Sequence, residues 1–180
     1  MQRKLLVASA LISALLLLGC PGPEPEPPPE PLEIGTLAAD GTFVPLNDGD
    51  TMGVILGANG LNMVVPSVRA EGVNPRRPDP NVEVDIAGHT MAAILLAERV
   101  DMEPDNDAYV LRNLQVPFQT ELCCYVCTEG TLVATLRDGS GRRFEGQVTV
   151  RFERGGCPDV SACCATADAC PDPTLTQVCE

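Results

Sequence analysis

The sequence predicts an all-β protein, a two-sheet antiparallel sandwich followed by a cysteine-rich tail. Three observations carry that prediction. Apolar residues alternate with polar ones: Val82, Val84 and Ile86 with Glu83 and Asp85, and Phe144, Val148, Val150 and Phe152 with Glu145, Gln147, Thr149 and Arg151. A period of two marks a strand with one face in a core and one in water. Turn-forming clusters recur about every ten residues, the spacing of a sandwich. The last stretch, 155–180, is rich in small residues and carries Cys157, Cys163, Cys164, Cys170 and Cys179. It is too poor in large apolar residues to make its own core, so cross-links must order it.

Taken in order, strands are expected at 33–38, 42–46, 51–57, 61–70, 82–86 and 109–117. Asp40-Gly41, Asn47-Asp48-Gly49 and Asn59-Gly60 supply the turns. Residues 131–153 read as a hairpin, with Leu132, Ala134 and Leu136 facing the apolar parity of the second arm and Asp138-Gly139-Ser140-Gly141 between them. The segment Thr90–Val100 has helical propensity in its Met-Ala-Ala-Ile-Leu-Leu run, but it follows a strand and a Gly-His turn. It is read as a strand pairing back on 82–86. The inner faces should carry Val54, Leu56, Val82, Val84, Ile86, Val148 and Val150. A body of this length, 32–154, can bury a sizeable core.

Two segments precede the body. Arg3 and Lys4 introduce an apolar run, Leu5 to Leu18, that ends at Gly19-Cys20. A positive start, a short apolar stretch and a small residue make a secretory signal, and 14 residues are too few to span a bilayer that needs about 20. Leu17-Leu18-Gly19-Cys20 resembles the lipobox of bacterial lipoproteins. The resemblance covers the leader alone. It implies diacylglycerylation of the Cys20 sulfur, cleavage after Gly19 and acylation of Cys20 as the new first residue, hence anchoring to a membrane in the cell envelope. Two or more acyl chains hold a protein on a bilayer where one does not. Pro21 differs from the aspartate often linked to inner-membrane retention, which tilts the expectation to the outer membrane. The next stretch, 20–31, is a linker: seven of residues 21–31 are proline. Such a stretch favours polyproline II, at about 3.1 Å per residue, and Glu24, Glu26 and Glu30 extend it by repulsion. The body's layout resembles immunoglobulin-like modules on bacterial surface lipoproteins. Trp is absent, so an antibody-type Cys–Trp–Cys domain is excluded.

Removing residues 1–19 takes away Arg3 and Lys4 and leaves ten arginines against 25 acidic residues, a formal charge of about −15. A field of that sign repels phosphate backbones and argues against nucleic acid as a partner. Aromatic residues are few, four Phe and two Tyr, so interface anchors are scarce.

Spending Cys20 on lipid leaves eight cysteines: Cys123, Cys124, Cys127 and the five of the tail. An even number in an exported chain reads as a disulfide framework of four bridges, whose connectivity stays open among 105 pairings. Neighbours such as Cys123-Cys124 strain a mutual bridge. One arrangement ties Cys123, Cys124 or Cys127 to the tail. Cys124-x-x-Cys127 also has the spacing of a thiol–disulfide oxidoreductase, but no βαβ pattern surrounds it. A zinc site would need a second closely spaced pair.

Asp101, Glu103, Asp105 and Asp107 place acidic oxygens at alternate positions, as a hard cation such as calcium requires. A solvated acidic turn is the simpler reading of this segment and of Asn47-Asp48-Gly49-Asp50. His89 is the single histidine and is expected on the surface, like Arg76-Arg77 and Arg142-Arg143. No nucleophile elbow, phosphate loop or two-histidine metal motif occurs. No catalytic residue is assigned. The expectation is a non-enzymatic, lipid-anchored binding or structural module without a cofactor, its protein partner unspecified. The alternatives are a calcium-dependent adhesion-type module and the thiol oxidoreductase.

Overall fold

The computed structural model describes residues 25–57, 60–95, 100–118 and 128–154, and these form thirteen strands without a helix. The expected β-sandwich is what forms. The larger sheet is built on the hairpin of β12 (Glu129–Arg137) and β13 (Arg143–Arg154), closed by residues 138–142. On one side follow β7 (Asp79–Ile86) and β8 (His89–Leu95); on the other, β4 (Thr51–Leu56), β5 (Asn62–Val64) and β11 (Val116–Pro117). The smaller sheet runs β3 (Phe43–Pro45), β2 (Glu33–Leu37), β6 (Ser67–Glu71), β10 (Ala108–Leu111) and β9 (Glu103–Asp105).

The alternating runs sit where their parity predicts. Val82, Val84, Ile86, Leu132, Ala134, Leu136, Val150 and Phe152 are almost wholly buried, and the intervening polar residues of β7 and β12 are half-exposed. Ile34, Val68 and Leu111 oppose them from the smaller sheet. The Phe118 and Phe152 rings meet edge to face at 5.8 Å, the geometry aromatic quadrupoles favour. Phe118 also bridges to Ala92 of β8, so the larger sheet curls until its two edges touch. Unpaired N–H and C=O groups at those edges are thereby covered.

Of the segment Thr90–Val100, the residues up to Leu95 do pair back, and 96–99 lie outside the described residues: β7 and β8 are joined by Ala87-Gly88, both at positive φ (53° and 81°), as a type I′ turn requires. Two other expectations need correction. The run 61–70 is not one strand. It breaks at Pro66, which has no N–H to give to a ladder, and β5 and β6 lie in different sheets. The run 109–117 breaks likewise, at Asn113 with φ 53°, between β10 and β11. The two crossings run side by side, joined by Leu114 N–H to the Pro66 carbonyl (2.8 Å) and Asn113 N–H to Ser67 Oγ (3.1 Å).

Nor is every pairing antiparallel. A strand of 12 residues, β13 exposes more edge than any one neighbour covers. Two short strands share that edge, both parallel to it: β1 (Glu30–Pro31) at Phe144–Glu145 and β4 at Arg151–Arg154. Glu30 and Pro31, linker residues by composition, therefore join the body. Leu32 N–H continues the contact to the Glu145 carbonyl at 3.0 Å. Gly146 permits it, because a Cβ there would overlap the Leu32 carbonyl group.

Candidate functional site

Cross-strand partners share a face of a sheet, and Glu33, Arg69, Val110 and Glu103 are successive partners across the smaller sheet. They lie on the face opposite Ile34, Val68 and Leu111, turned away from the core. Phe43 folds its ring over Gly35 on this outer face. Phe43, Ala108 and Val110 are buried there although they stand apart from the main core. Arg69 covers them: its guanidinium carbon is 5.1 Å from the Phe43 ring centroid, Nε is 2.6 Å from Glu33 Oε2 and Nη1 is 3.4 Å from Asp105 Oδ2. The hydrogen bond to Glu33, foremost, pushes the Arg69 pKa further above its usual value. Arg112 completes the cover. Its Nη1 donates to the Gly41 carbonyl, and its Nε is 2.7 Å from Glu103 Oε2 but is not directed along an N–H hydrogen bond.

This arrangement accounts for three of the four candidate calcium ligands. Glu103 and Asp105 face Arg112 and Arg69, and Asp101 Oδ1 accepts the Arg77 N–H at 2.9 Å. Asp107 is exposed in the tight β9–β10 turn. Among the described residues no three carboxylates or imidazoles converge as a metal site. Asn47–Asp50 is a turn closed within itself and tied to β13: Asp50 Oδ2 accepts from Asn47 N–H at 2.7 Å, and Asp48 Oδ1 accepts from Thr149 N–H at 2.8 Å. Beside the outer face, Glu30, Pro31, Glu33, Arg69, Glu71 and Phe144 line an open groove of about 430 Å³. Its lining carries three carboxylates and one arginine, and the Arg142 guanidinium carbon lies 5.4 Å from the Phe144 ring centroid.

The body has two unlike ends. Strand direction sets them: β13 runs from Arg143 to Arg154, β1 and β4 run with it, and β12 runs against it. Residues 25–29 therefore lead towards the 138–142 turn, where Glu26 pairs with Arg137 at 3.0 Å and Glu30 with Arg142 at 3.2 Å. That turn is organised by Asp138, whose side chain is fully buried. Its Oδ1 accepts from Ser140 N–H (2.8 Å), Ser140 Oγ (2.7 Å) and Arg142 N–H (2.9 Å), and its Oδ2 from Asn74 N–H at 3.0 Å. Burial alone would raise its pKa, but the hydrogen bonds from Asn74, Ser140 and Arg142 outweigh it and hold the carboxyl at about 2. The sequence marks Asp138 as the first residue of an Asp-Gly-Ser-Gly turn, which can close on the backbone two residues on, but that signal does not show that the side chain is buried. Arg142 is not a freely solvated arginine: it also donates to the Gly72 carbonyl and faces Asp138.

The opposite end holds the β4–β5 and β7–β8 turns. His89 is exposed there, as expected. Leu56, expected in the core, is 63% exposed, while Met52 and Val54 on the same parity are buried. The strand outruns its cover. Ile55 and Leu61 are exposed beside it. Cys20, Cys123, Cys124, Cys127, Cys157, Cys163, Cys164, Cys170 and Cys179 all lie outside the described residues, and with them the lipidation, disulfide, zinc and thiol-exchange readings.

No protein-family model and no curated protein matches the chain. Among solved structures, the N-terminal domain of PorA is similar over 69% of this chain and 98% of that one, at 11% identity and a TM-score of 0.30. A likeness of that size carries no functional argument.

Proposed function

We propose that the protein is a lipid-anchored component of a bacterial cell envelope, in the outer membrane, that acts as a binding or structural module. The observation that carries the reading is Leu17-Leu18-Gly19-Cys20 closing a short apolar leader, directly before a proline-rich stretch. In this reading Cys20 bears the acyl chains, and the linker joins the lipid to one end of a rigid sandwich. No helix among the described residues is long and apolar enough to cross a membrane. The end with Ile55, Leu56 and Leu61 points away from the anchor and meets a protein partner. The eight remaining cysteines pair as four disulfides that tie the tail to the body. No cofactor is needed, and no residue is assigned a catalytic role.

The test is metabolic labelling with an alkyne fatty acid in a bacterial host, followed by membrane fractionation. The full chain takes up label and sediments with membranes, and Cys20→Ala loses both. Equal labelling and sedimentation of Cys20→Ala would overturn the reading. Because Asp101, Glu103 and Asp105 are already engaged by Arg77 N–H, Arg112 and Arg69, millimolar calcium should leave the thermal melt unchanged. A calcium-induced rise in Tm that Asp105→Ala and Asp107→Ala abolish would favour the calcium-dependent module instead.

A further inference from the structure

We infer that the outer face of β4, β5 and β11 is the docking site of this chain's own C-terminal tail, 155–180. The tail lies outside the described residues; the surface and the point where the body ends do not. Register defines the surface. Ile55, Met63 and Pro117 are successive cross-strand partners, so they share a face of the sheet. Val54, Val64 and Val116, one residue away on the same strands, lie in the core, so the row of Ile55, Met63 and Pro117 is turned away from it. Leu61 has the parity of Met63 and extends the row opposite Gly57, whose N–H donates to the Leu61 carbonyl at 2.8 Å. An outward face ordinarily carries polar residues. Here it carries Ile55 at 38% and Leu61 at 46% exposure, two of the five large apolar side chains exposed among the described residues. Met63 beside them is buried and yet stands outside the core cluster.

Three observations make the tail the occupant. The first is where the body ends. β13 runs parallel to β4, and their ladder closes at Arg154 against Val54, so the tail leaves the body beside Ile55. The second is reach. Adjacent strands lie about 4.8 Å apart and an extended chain advances about 3.3 Å per residue, so about five residues past Arg154 suffice to cross the row. Gly155-Gly156 follow Arg154, and glycine bends without steric cost. The third is a matched need. Val160, Leu175 and Val178 are the larger apolar residues of the tail and cannot form a core by themselves. Apolar burial is non-directional, so a segment of small residues with a few aliphatic ones can dock on an apolar row without a shaped pocket. The inference deepens the reading above, in which disulfides tie the tail to the body, by naming where on the body it lies. Leu56, on the opposite parity of β4 and 63% exposed, remains on the partner-facing end with the tail beside it.

The test places the photo-cross-linker benzoylphenylalanine at Leu61 of the full chain, isolated without reductant, and maps the products by mass spectrometry. Ile55 is the second position, so one poorly folded variant does not decide the result. Val100, exposed next to the Asp101 that binds Arg77 N–H, is the control off the row. Positions 61 and 55 should cross-link within one chain to peptides of 155–180, several-fold more than position 100. Cross-links between two chains would give the row to a second copy and overturn the inference. Cross-links only to other segments of the same chain, or none from either position, would also overturn it. A non-reducing peptide map of the same samples separates the two readings. Tail cysteines bridged to the body without a cross-link from the row would overturn the docking and leave the disulfides standing. Free tail thiols together with the cross-link would support the docking and overturn the disulfides.

Discussion

Asp138 shows how one side chain stabilises a turn and sets a pH dependence. Its pKa falls from an ordinary 3.8 to about 2 in the fold. At about 1.36 kcal/mol per unit, the ionised form contributes about 2 kcal/mol to stability. The folded value lies below the unfolded one, so that contribution is whole above about pH 4 and is lost as the pH drops towards 2. Asp138→Asn should therefore lose about 2 kcal/mol in urea denaturation at pH 7, and the gap to the parent protein should narrow below pH 3. Gly146 is a second residue on which much depends. In Gly146→Ala the new Cβ meets the Leu32 backbone, not a flexible side chain, and its carbonyl carbon is only 2.9 Å away. Overpacking of this kind costs about 1–3 kcal/mol, and hydrogen exchange at Leu32 should quicken as β1 lifts from β13.

Among the elements, the β7–β8 hairpin is the clearest place for a local gain. Ala87 occupies the left-handed region at φ 53°, a conformation that Asn tolerates far better and that Asn-Gly turns adopt readily. Ala87→Asn should raise stability by about 0.5–1 kcal/mol, read as a shift in urea midpoint at constant slope. Elements with strict alternation were legible in the sequence: 82–86, both arms of 131–153 and their turn stand where the pattern puts them. The broken strands were not. In 61–70 and 109–117 the apolar residues continue through Pro66 and Asn113, and hydrophobic pattern does not record which of two sheets a residue lies in. The outer-face arginines were illegible for a related reason. Arg69 sits at a polar parity, and only the pairing of β3, β2, β6, β10 and β9 brings Glu33, Phe43 and Asp105 around it.

Across the whole molecule, one apolar core holds the two sheets together. Phe152 is fully buried, touches Phe118 where the larger sheet closes and lies against Gly130. Phe152→Ala should cost about 3–5 kcal/mol and should lower the unfolding cooperativity of β8 and β11 together, measured by hydrogen exchange. The exposed ion pairs of the linker, Glu26–Arg137 and Glu30–Arg142, work at a different level. Pairs of this exposure contribute roughly 0–1 kcal/mol, so Arg137→Gln should barely move Tm. Their effect is on direction, since they hold the chain against one end of the body.

The alternation of apolar and polar residues, the spacing of turns and the leader with its Cys20 are local properties. From them follow the all-β class, the principal hairpin, most of the buried face and the expected anchor. The parallel docking of β1 and β4 on β13, the switch of two strands between sheets and the burial of Asp138 are not local. They depend on which distant segments share an edge or a face, and that is decided when the sheets close around a common core.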